Sequence, residues 1–300
     1  MDIRAHAKRR WKTTVFGWFL MLPSLLFLGG FTFSPIAASV VQSFLRVNKR
    51  TKAQVFSGLQ NYANVFKDPV FGTVLVNTLR FSLIVIPLSI VLGFALATLF
   101  SKKFKGIGMA RALVFYPNIA PVIGFATIWS FLLTPTIGLV NTLMRFAGLP
   151  AVDFLNNPQT ALYAIMAVYL WREAGFIMIF YISGLENISR EYYEAAYLDG
   201  ASPLAVLRKI TLPMVRPTTL FALTITMANA FKMVDLILIM TTRGGPNNST
   251  NVLMHHIYLT AFIYWDQGQA AVLTLVMLGF MLLVACIQFF LIDRRTYYEN

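Results

Sequence analysis

Apolar residues in this chain do not alternate with polar ones. They run on for twenty residues or more, stop at short polar breaks, and resume. Six such runs cover about 14–44, 75–100, 112–134, 160–184, 217–241 and 269–292. Each is long enough for the roughly 20 helical residues that a hydrocarbon core of about 30 Å demands. Only helices and closed barrels satisfy their backbones in lipid, and these runs are too long for barrel strands. The pattern predicts an all-α, polytopic membrane protein with six transmembrane helices. The first run is overlong and holds Pro23, Pro35 and the Gly29-Gly30 pair, so a kinked or tilted helix is expected there. Bases precede it, as in a secretory signal. The run is too long for a signal core and no small-residue cleavage site follows, so it reads as a retained helix.

Composition narrows this further. Hydrophobic residues make up 57% of the chain and charged residues 12%, against about a quarter charged in soluble domains. The net charge of +13 does not point to nucleic acid, because no soluble basic domain is present to bind it. In a membrane chain, such bases mark cytoplasmic loops and anionic headgroups of the lipid bilayer. The bases fall unevenly. Fifteen lie at the two ends and in the second and fourth loops: Arg4, Lys8, Arg9, Arg10, Lys12, Lys102, Lys103, Lys105, Arg111, Arg190, Arg208, Lys209, Arg216, Arg294 and Arg295. Seven lie on the other side: Arg46, Lys49, Arg50, Lys52, Lys67, Arg145 and Arg243. This bias puts the N- and C-termini in the cytoplasm, although the cluster at 46–52 opposes it. The single Cys286 excludes a disulfide framework.

One cytoplasmic segment is unlike a simple connection. Between the fourth and fifth runs stands "EYYEAAYLDGASPLAVLRKITLPMVRP", Glu191 to Pro217. Helix formers flank a Gly-Ala-Ser-Pro break. Pro203 can open a second helix with Ser202 as its N-cap. Leu204, Leu207 and Ile210 share one face, and Pro213 and Pro217 are expected to stop the helix before the next span. The segment reads as two short helices around a tight turn at the membrane surface. An interfacial amphipathic helix lying on lipid is the alternative. Glu191, Glu194 and Asp199 argue against it, since they would meet anionic headgroups.

The fixed positions here are Glu194-Ala195-Ala196, then Gly200, then Ile210, then Leu212-Pro213. They resemble the "EAA" signature of the membrane subunits of ATP-binding-cassette importers, in the loop where that family carries it. "FSGLQNY" (56–62), "NTLRFS" (77–82), "GLVNTLM" (138–144), "GLENIS" (184–189) and "TTRGGPNNST" (241–250) resemble the sugar-permease branch, including the permeases for maltose-type sugars and glycerol phosphate. The resemblance covers nearly the whole chain. It implies the type I importer permease fold, in a bacterial inner membrane. It also implies that the segment is a coupling helix docked on a separate ATPase, with Glu194, Ala195, Ala196, Asp199, Gly200, Ile210, Leu212 and Pro213 as its functional positions. The organisation it implies is 1–68 for the N-terminal tail, first helix and outer loop, 69–295 for the permease core with the coupling loop 190–217, and 296–300 for a tail. The implied partners are a homologous second permease in a heterodimer, two ATP-binding subunits and a periplasmic solute-binding protein. The chain has no Gly-x-x-x-x-Gly-Lys-Ser/Thr phosphate loop and no Gly-Lys pair. ATP and Mg²⁺ therefore belong to the partner ATPase, and no cofactor or metal is expected on this chain.

Charges inside spans are costly and mark functional candidates. They are Arg80, Arg172, Glu173, Lys232 and Asp235. Arg80 is near an outer end and can snorkel. Lys232 and Asp235 are spaced i, i+3 on one helical face. Two readings stay open for the last four. One is mutual neutralisation in two ion pairs that hold spans four and five together. The other is a polar substrate pathway, in which Tyr169, Trp171 and Phe231 supply flat surfaces for sugar rings and the charges bond hydroxyls. The surplus of one base among the five leaves room for an anionic, phosphorylated or sulfonated solute.

Other function classes fit less well. A self-sufficient secondary carrier needs its own ion-coupling carboxylates and more spans. An intramembrane enzyme needs a nucleophile constellation or a metal motif. His255 and His256 are adjacent, cannot both face one site from a regular helix, and read as outer-loop residues.

Overall fold

The computed structural model describes residues 3–47, 53–101 and 105–291. Lys49, Arg50, Lys52, Lys102, Lys103, Arg294, Arg295 and the tail 296–300 lie outside the described residues, as do the side chains of 3–13 and 289–291. The chain divides into two compact units, Met1–Phe66 with Thr260–Leu275, and Lys67–Leu259 with Val276–Asn300.

The first unit begins with α1 (Ile3–Leu28), a π-helical turn at Gly29–Phe33, and α2 (Ser34–Ser43). From Thr14 to Ser43 these form one span of 30 residues. The wide turn explains how Pro35 is accommodated. Proline has no N–H and its ring crowds the carbonyl four residues back. Here Ser34 N–H reaches Gly29 O, five residues back, so the helix continues past the proline. A short antiparallel hairpin follows, β1 (Leu45–Val47) on β2 (Gln54–Phe56), with Arg46 opposite Val55. Then comes α3 (Gln60–Lys67). Asn61, 1% exposed, donates from Nδ2 to the carbonyls of Ser43 and Leu45, both at 2.8 Å, and so pins α3 to the hairpin.

The second unit is built around α8 (Ala161–Glu186). Around it stand α4 (Pro69–Phe100), α5 (Ile107–Ile119) and α6 (Val122–Leu132), with the short α7 (Leu139–Phe146) after them. Asp68 caps α4 by accepting from Val70 N–H. After α8 come α9 (Arg190–Leu198), α10 (Pro203–Val206), a π turn at Leu207–Thr211, and α11 (Leu212–Met214). The chain re-enters the apolar layer as α12 (Arg216–Lys232) and α13 (Asp235–Met240), and after α14 (Leu253–Tyr258) ends in α15 (Gln267–Leu291). Small residues let these helices approach closely where apolar burial alone gives no drive in lipid. A Cβ on Gly93 would meet Ile177 at 2.5 Å, one on Gly175 would stand 2.3 Å from the Val114 carbonyl, and one on Gly184 would meet Thr218 at 2.4 Å.

Five helical segments are long and apolar enough to span a membrane, and α5–α6 makes a sixth if the bent pair is one span. Two spans differ from the continuous helices expected at 112–134 and 217–241. The third bends by 99° between Ile119 and Val122. Pro121 drives Ala120 to φ −64, ψ 140, the extended conformation that a following proline favours. The fifth is interrupted at Met233 (φ −67, ψ 115) and Val234 (φ −135, ψ −31). Lys232 and Asp235 therefore sit on two helices rather than one face. Lys232 meets the carbonyl end of α12, and Asp235 the N–H end of α13, as the helix dipoles favour.

Candidate functional site

The segment 190–217 forms two arms around a tight turn, as its sequence indicates. Ser189 Oγ accepts from Glu191 N–H at the head of α9. At its foot, Ala201 N–H bonds Ala196 O and Gly200 N–H bonds Tyr197 O, the Schellman pattern. Gly200 takes φ +70, which costs a glycine nothing. Ser202 Oγ accepts from Ala205 N–H, with Pro203 at the first helical position. The expected stop before the next span comes at Met214, one residue past Pro213. Leu212 N–H bonds Leu207 O five residues back, and this wider turn carries the helix through Pro213. Pro217 opens α12 rather than ending anything. Tyr193 Oη and Thr211 Oγ1 meet at 3.3 Å and tie the arms together. Glu194, Ala195, Asp199, Gly200 and Leu212 are exposed, Ile210 and Pro213 are half-buried, and Ala196 is buried. A recess of about 1250 Å³ lies behind the segment, lined by Thr98, Ser101, Glu186, Tyr193 and Leu207 among others.

Sequence reasoning passed over the tip of this segment. Tyr197 is 83% and Leu198 86% exposed. Two large apolar groups held beside a left-handed glycine form a knob. The available signal was an aromatic-aliphatic pair placed immediately before Asp-Gly.

A second feature lies within the spans, where both broken helices meet α8. A cavity of about 430 Å³ is lined by Tyr169, Arg172, Glu173, Lys232 and Asp235, together with Phe115, Asn118, Val122 and Asn229 among others. Five of the seven pathway residues named from sequence thus come together. Trp171 is 61% exposed and stands edge-on to Trp129, and Phe231 is buried edge-on against Phe280, so neither lines the cavity. The ring of Tyr169 packs edge-on to Phe81. Only its hydroxyl edge is offered, and that buried oxygen stands beside the Glu173 carboxylate, one turn along the same face.

Among the described residues the two ion pairs of the alternative reading do not form within 4 Å, and the ion pair found there is Arg111–Glu186 at 3.2 Å. Glu173 instead accepts from Asn229 Nδ2 at 3.2 Å, and Asn118 Nδ2 donates to the Arg172 carbonyl at 2.6 Å. Both asparagines went unread in the sequence, where the signal was a lone amide within an apolar run. Four charged groups and two amides around a small cavity can hydrogen-bond a polyhydroxylated solute at several points.

Two more findings concern the far end of the same unit. Asn77, from "NTLRFS", donates to the carbonyls of Asn248 and Asn251, from and just after "TTRGGPNNST", at 2.8 and 3.2 Å. Segments over 170 residues apart are thus stitched into one structure. His255 and His256 are not loop residues: both lie on α14, 0% and 8% exposed. His255 Nδ1 donates to Asn251 Oδ1 at 2.8 Å. Among the described residues, no group of three or more His, Cys, Asp or Glu side chains could hold a metal ion.

Known proteins share this architecture. The chain is similar to the trehalose/maltose transport system permease protein MalF of Thermococcus litoralis, 30% identical over 268 residues, covering 89% of each chain. It is 28% identical over 269 residues to the sulfoquinovosyl glycerol transport system permease protein SmoG of Agrobacterium fabrum, covering 89% of this chain and 87% of that one. Its fold matches a chain of a bacterial alginate ABC transporter solved with an alginate pentasaccharide-bound periplasmic protein, at a TM-score of 0.81, 20% identity and full coverage of both chains. Residues 89–297 match the family described as binding-protein-dependent transport system inner membrane component. With spans, broken helices and EAA segment all in place, the chain belongs to that family of ABC importer permeases, and is a transport component rather than an enzyme.

Proposed function

We propose that this chain is one of two homologous permease subunits of an ATP-driven importer. It carries a carbohydrate or sugar derivative from a periplasmic binding protein into a bacterial cytoplasm. Two copies of a separate ATP-binding subunit hold ATP and Mg²⁺ and dock on the segment 190–217, with both chain termini on that cytoplasmic side. Glu194 pairs with a base on the ATPase, Ala195 and Ala196 admit its backbone closely, and Asp199 and Gly200 form the turn. Ile210, Leu212 and Pro213 pass motion into α12. The core serving this role is 69–295, preceded by the accessory 1–68 and followed by the tail 296–300.

The observation that supports this most is the cavity at the two helix breaks. Charges within spans are rare and face pathways, and discontinuous helices recur where transporters hold substrate. Arg172, Glu173, Lys232 and Asp235 reach it with no ion-pair partner within 4 Å among the described residues. Tyr169 contributes its hydroxyl edge beside Glu173, while Trp171 and Phe231 support the surrounding helices. Relatives named for trehalose/maltose and for sulfoquinovosyl glycerol bracket neutral and sulfonated sugars. Arg172 and Lys232 can pair with an anionic group of the solute, while Glu173 and Asp235 can accept from its hydroxyls.

The test uses the complex in liposomes with its binding protein, and two probes, maltose and glycerol 3-phosphate. Arg172→Met and Lys232→Met are expected to reduce uptake of the anionic probe at least tenfold more than that of the neutral one. Equal loss for both ends the anionic reading. Unchanged uptake of both ends the pathway assignment.

A further inference from the structure

Arg111, in the second turn of α5, holds two other helices at once. Its Nε donates to the carbonyl of Phe100, the last residue of α4, at 3.0 Å. Its Nη2 meets Oε1 of Glu186, the last residue of α8, at 3.2 Å. Seven residues further along α5, about two turns and so on the same face, Asn118 donates to the Arg172 carbonyl of α8 at 2.6 Å. Between them the Val114 carbonyl lies against Gly175, so close that a Cβ there would stand 2.3 Å away. Positions 111, 114 and 118 form one stripe. Along it, α5 is fastened to α8 at both ends and in the middle.

The two ends of this strap lead to different places. Near Arg111, α8 ends at Glu186 and α9 begins at Arg190, and Glu186 lines the same recess as Tyr193 and Tyr197. Near Asn118, α5 supplies Phe115 and Asn118 to the wall of the charged cavity. The link from α4 into α5 includes Gly106 at φ +89, which leaves the entry angle of α5 to side-chain contacts. The Glu186 side chain is 57% exposed. A pair so open to water adds little to stability, yet it can be broken and remade.

We propose that Arg111 is a positioning residue for transport. With Glu186 it clasps α5 to the coupling end of α8, so that displacement of the segment 190–217 reaches the cavity wall through α5 as one strut. Without the clasp that displacement is lost at the corner 187–189. This rests on the permease reading above.

The test uses the assembled complex in nanodiscs, with Cys286→Ser and spin labels on Met109→Cys of α5 and Ile179→Cys of α8. Distances are compared without nucleotide and after trapping with ATP and vanadate. In the otherwise unaltered chain the α5–α8 distance is expected to shift by less than about 2 Å, the scale of packed-helix movement, while labels on α9 and α12 report the overall change. Glu186→Gln and Arg111→Gln are expected to broaden the α5–α8 distribution and at least halve the hydrolysis stimulated by the binding protein, with melting unchanged. Arg111→Glu with Glu186→Arg restores the ion pair but not the bond to the Phe100 carbonyl, and is expected to narrow the distribution in part and to recover part of the stimulation. If Glu186→Gln behaves as the parent, or the charge exchange is as broad as the single variants, the clasp is overturned. If trapping moves no label pair in the parent, the permease reading falls and the clasp with it.

Discussion

Gly175 has no room for a methyl group, since its Cβ would stand 2.3 Å from a backbone oxygen that cannot rotate away. Gly200 has open space around it but a φ of +70. The first is glycine because of a neighbour, the second because of its own backbone. Gly175→Ala is therefore expected to spread α5 from α8 and destabilise by roughly 1–3 kcal/mol, the scale of over-packing. Gly200→Ala is expected to cost only about 1 kcal/mol of left-handed strain, and to depress coupled hydrolysis out of proportion to it. Melting and stimulated ATPase of the purified complex, measured side by side, separate the two. His255 offers a different test at this scale. Burial pushes its imidazole pKa down to about 4, with His256 adding a smaller push the same way. His256 is itself lowered by burial and raised in part by Asp68. A folded pKa below the unfolded one means the unfolded chain takes the proton first. Stability is then full above about pH 6.5 and falls as pH drops toward 4, by up to about 1.4 kcal/mol per unit for one such group. Melting followed from pH 8 to 5 is expected to show this decline, and His255→Gln to lessen it while His256 keeps its own share.

At the scale of elements, the two-armed shape of the segment 190–217 was legible and the broken spans were not. Ser202-Pro203 and Asp199-Gly200 are local signals, each acting on its own backbone, and the structure uses both as caps and turns. Proline inside an apolar run is ambiguous by contrast. Pro23, Pro87 and Pro117 all lie within continuous helices, whereas Pro121 marks a 99° bend. Neighbouring helices decide which way a proline is resolved, and a single chain read in order does not display them. The same holds for Trp171, Phe231 and Asn118, whose helices were evident but whose facing was not. The knob at the turn yields the expectation here. Tyr197 and Leu198 are among the most exposed large apolar groups outside the spans, and a central apolar anchor commonly dominates an interface. Leu198→Asp is expected to leave the permease folded while weakening ATPase retention at least tenfold, about 1.4 kcal/mol. Co-purification of the ATPase under graded salt measures this.

For the molecule as a whole, the proposed orientation rests on the uneven spread of Lys and Arg, and several of those bases lie outside the described residues. The structure supplies landmarks that do not depend on them. Thr242 and Asn247 are exposed in the turn between α13 and α14, and Glu194 and Leu198 are exposed between α8 and α12. The turn after α13 and the segment after α8 are separated by the one interrupted span α12–α13. An odd number of crossings puts them on opposite sides of any membrane. Single cysteines at these four positions, in a Cys286→Ser chain, turn orientation into a measurement. A maleimide that does not cross membranes is expected to label positions 242 and 247 in intact cells, or in spheroplasts where an outer membrane is present. It is expected to reach 194 and 198 only after permeabilisation. Bound ATPase is expected to shield both 194 and 198, with Leu198 as the proposed apolar anchor and Glu194 as the proposed ion-pair partner beside it. The reverse labelling pattern would place the EAA segment on the side where no ATP is available, and ATP-driven import would fail as the function of this chain.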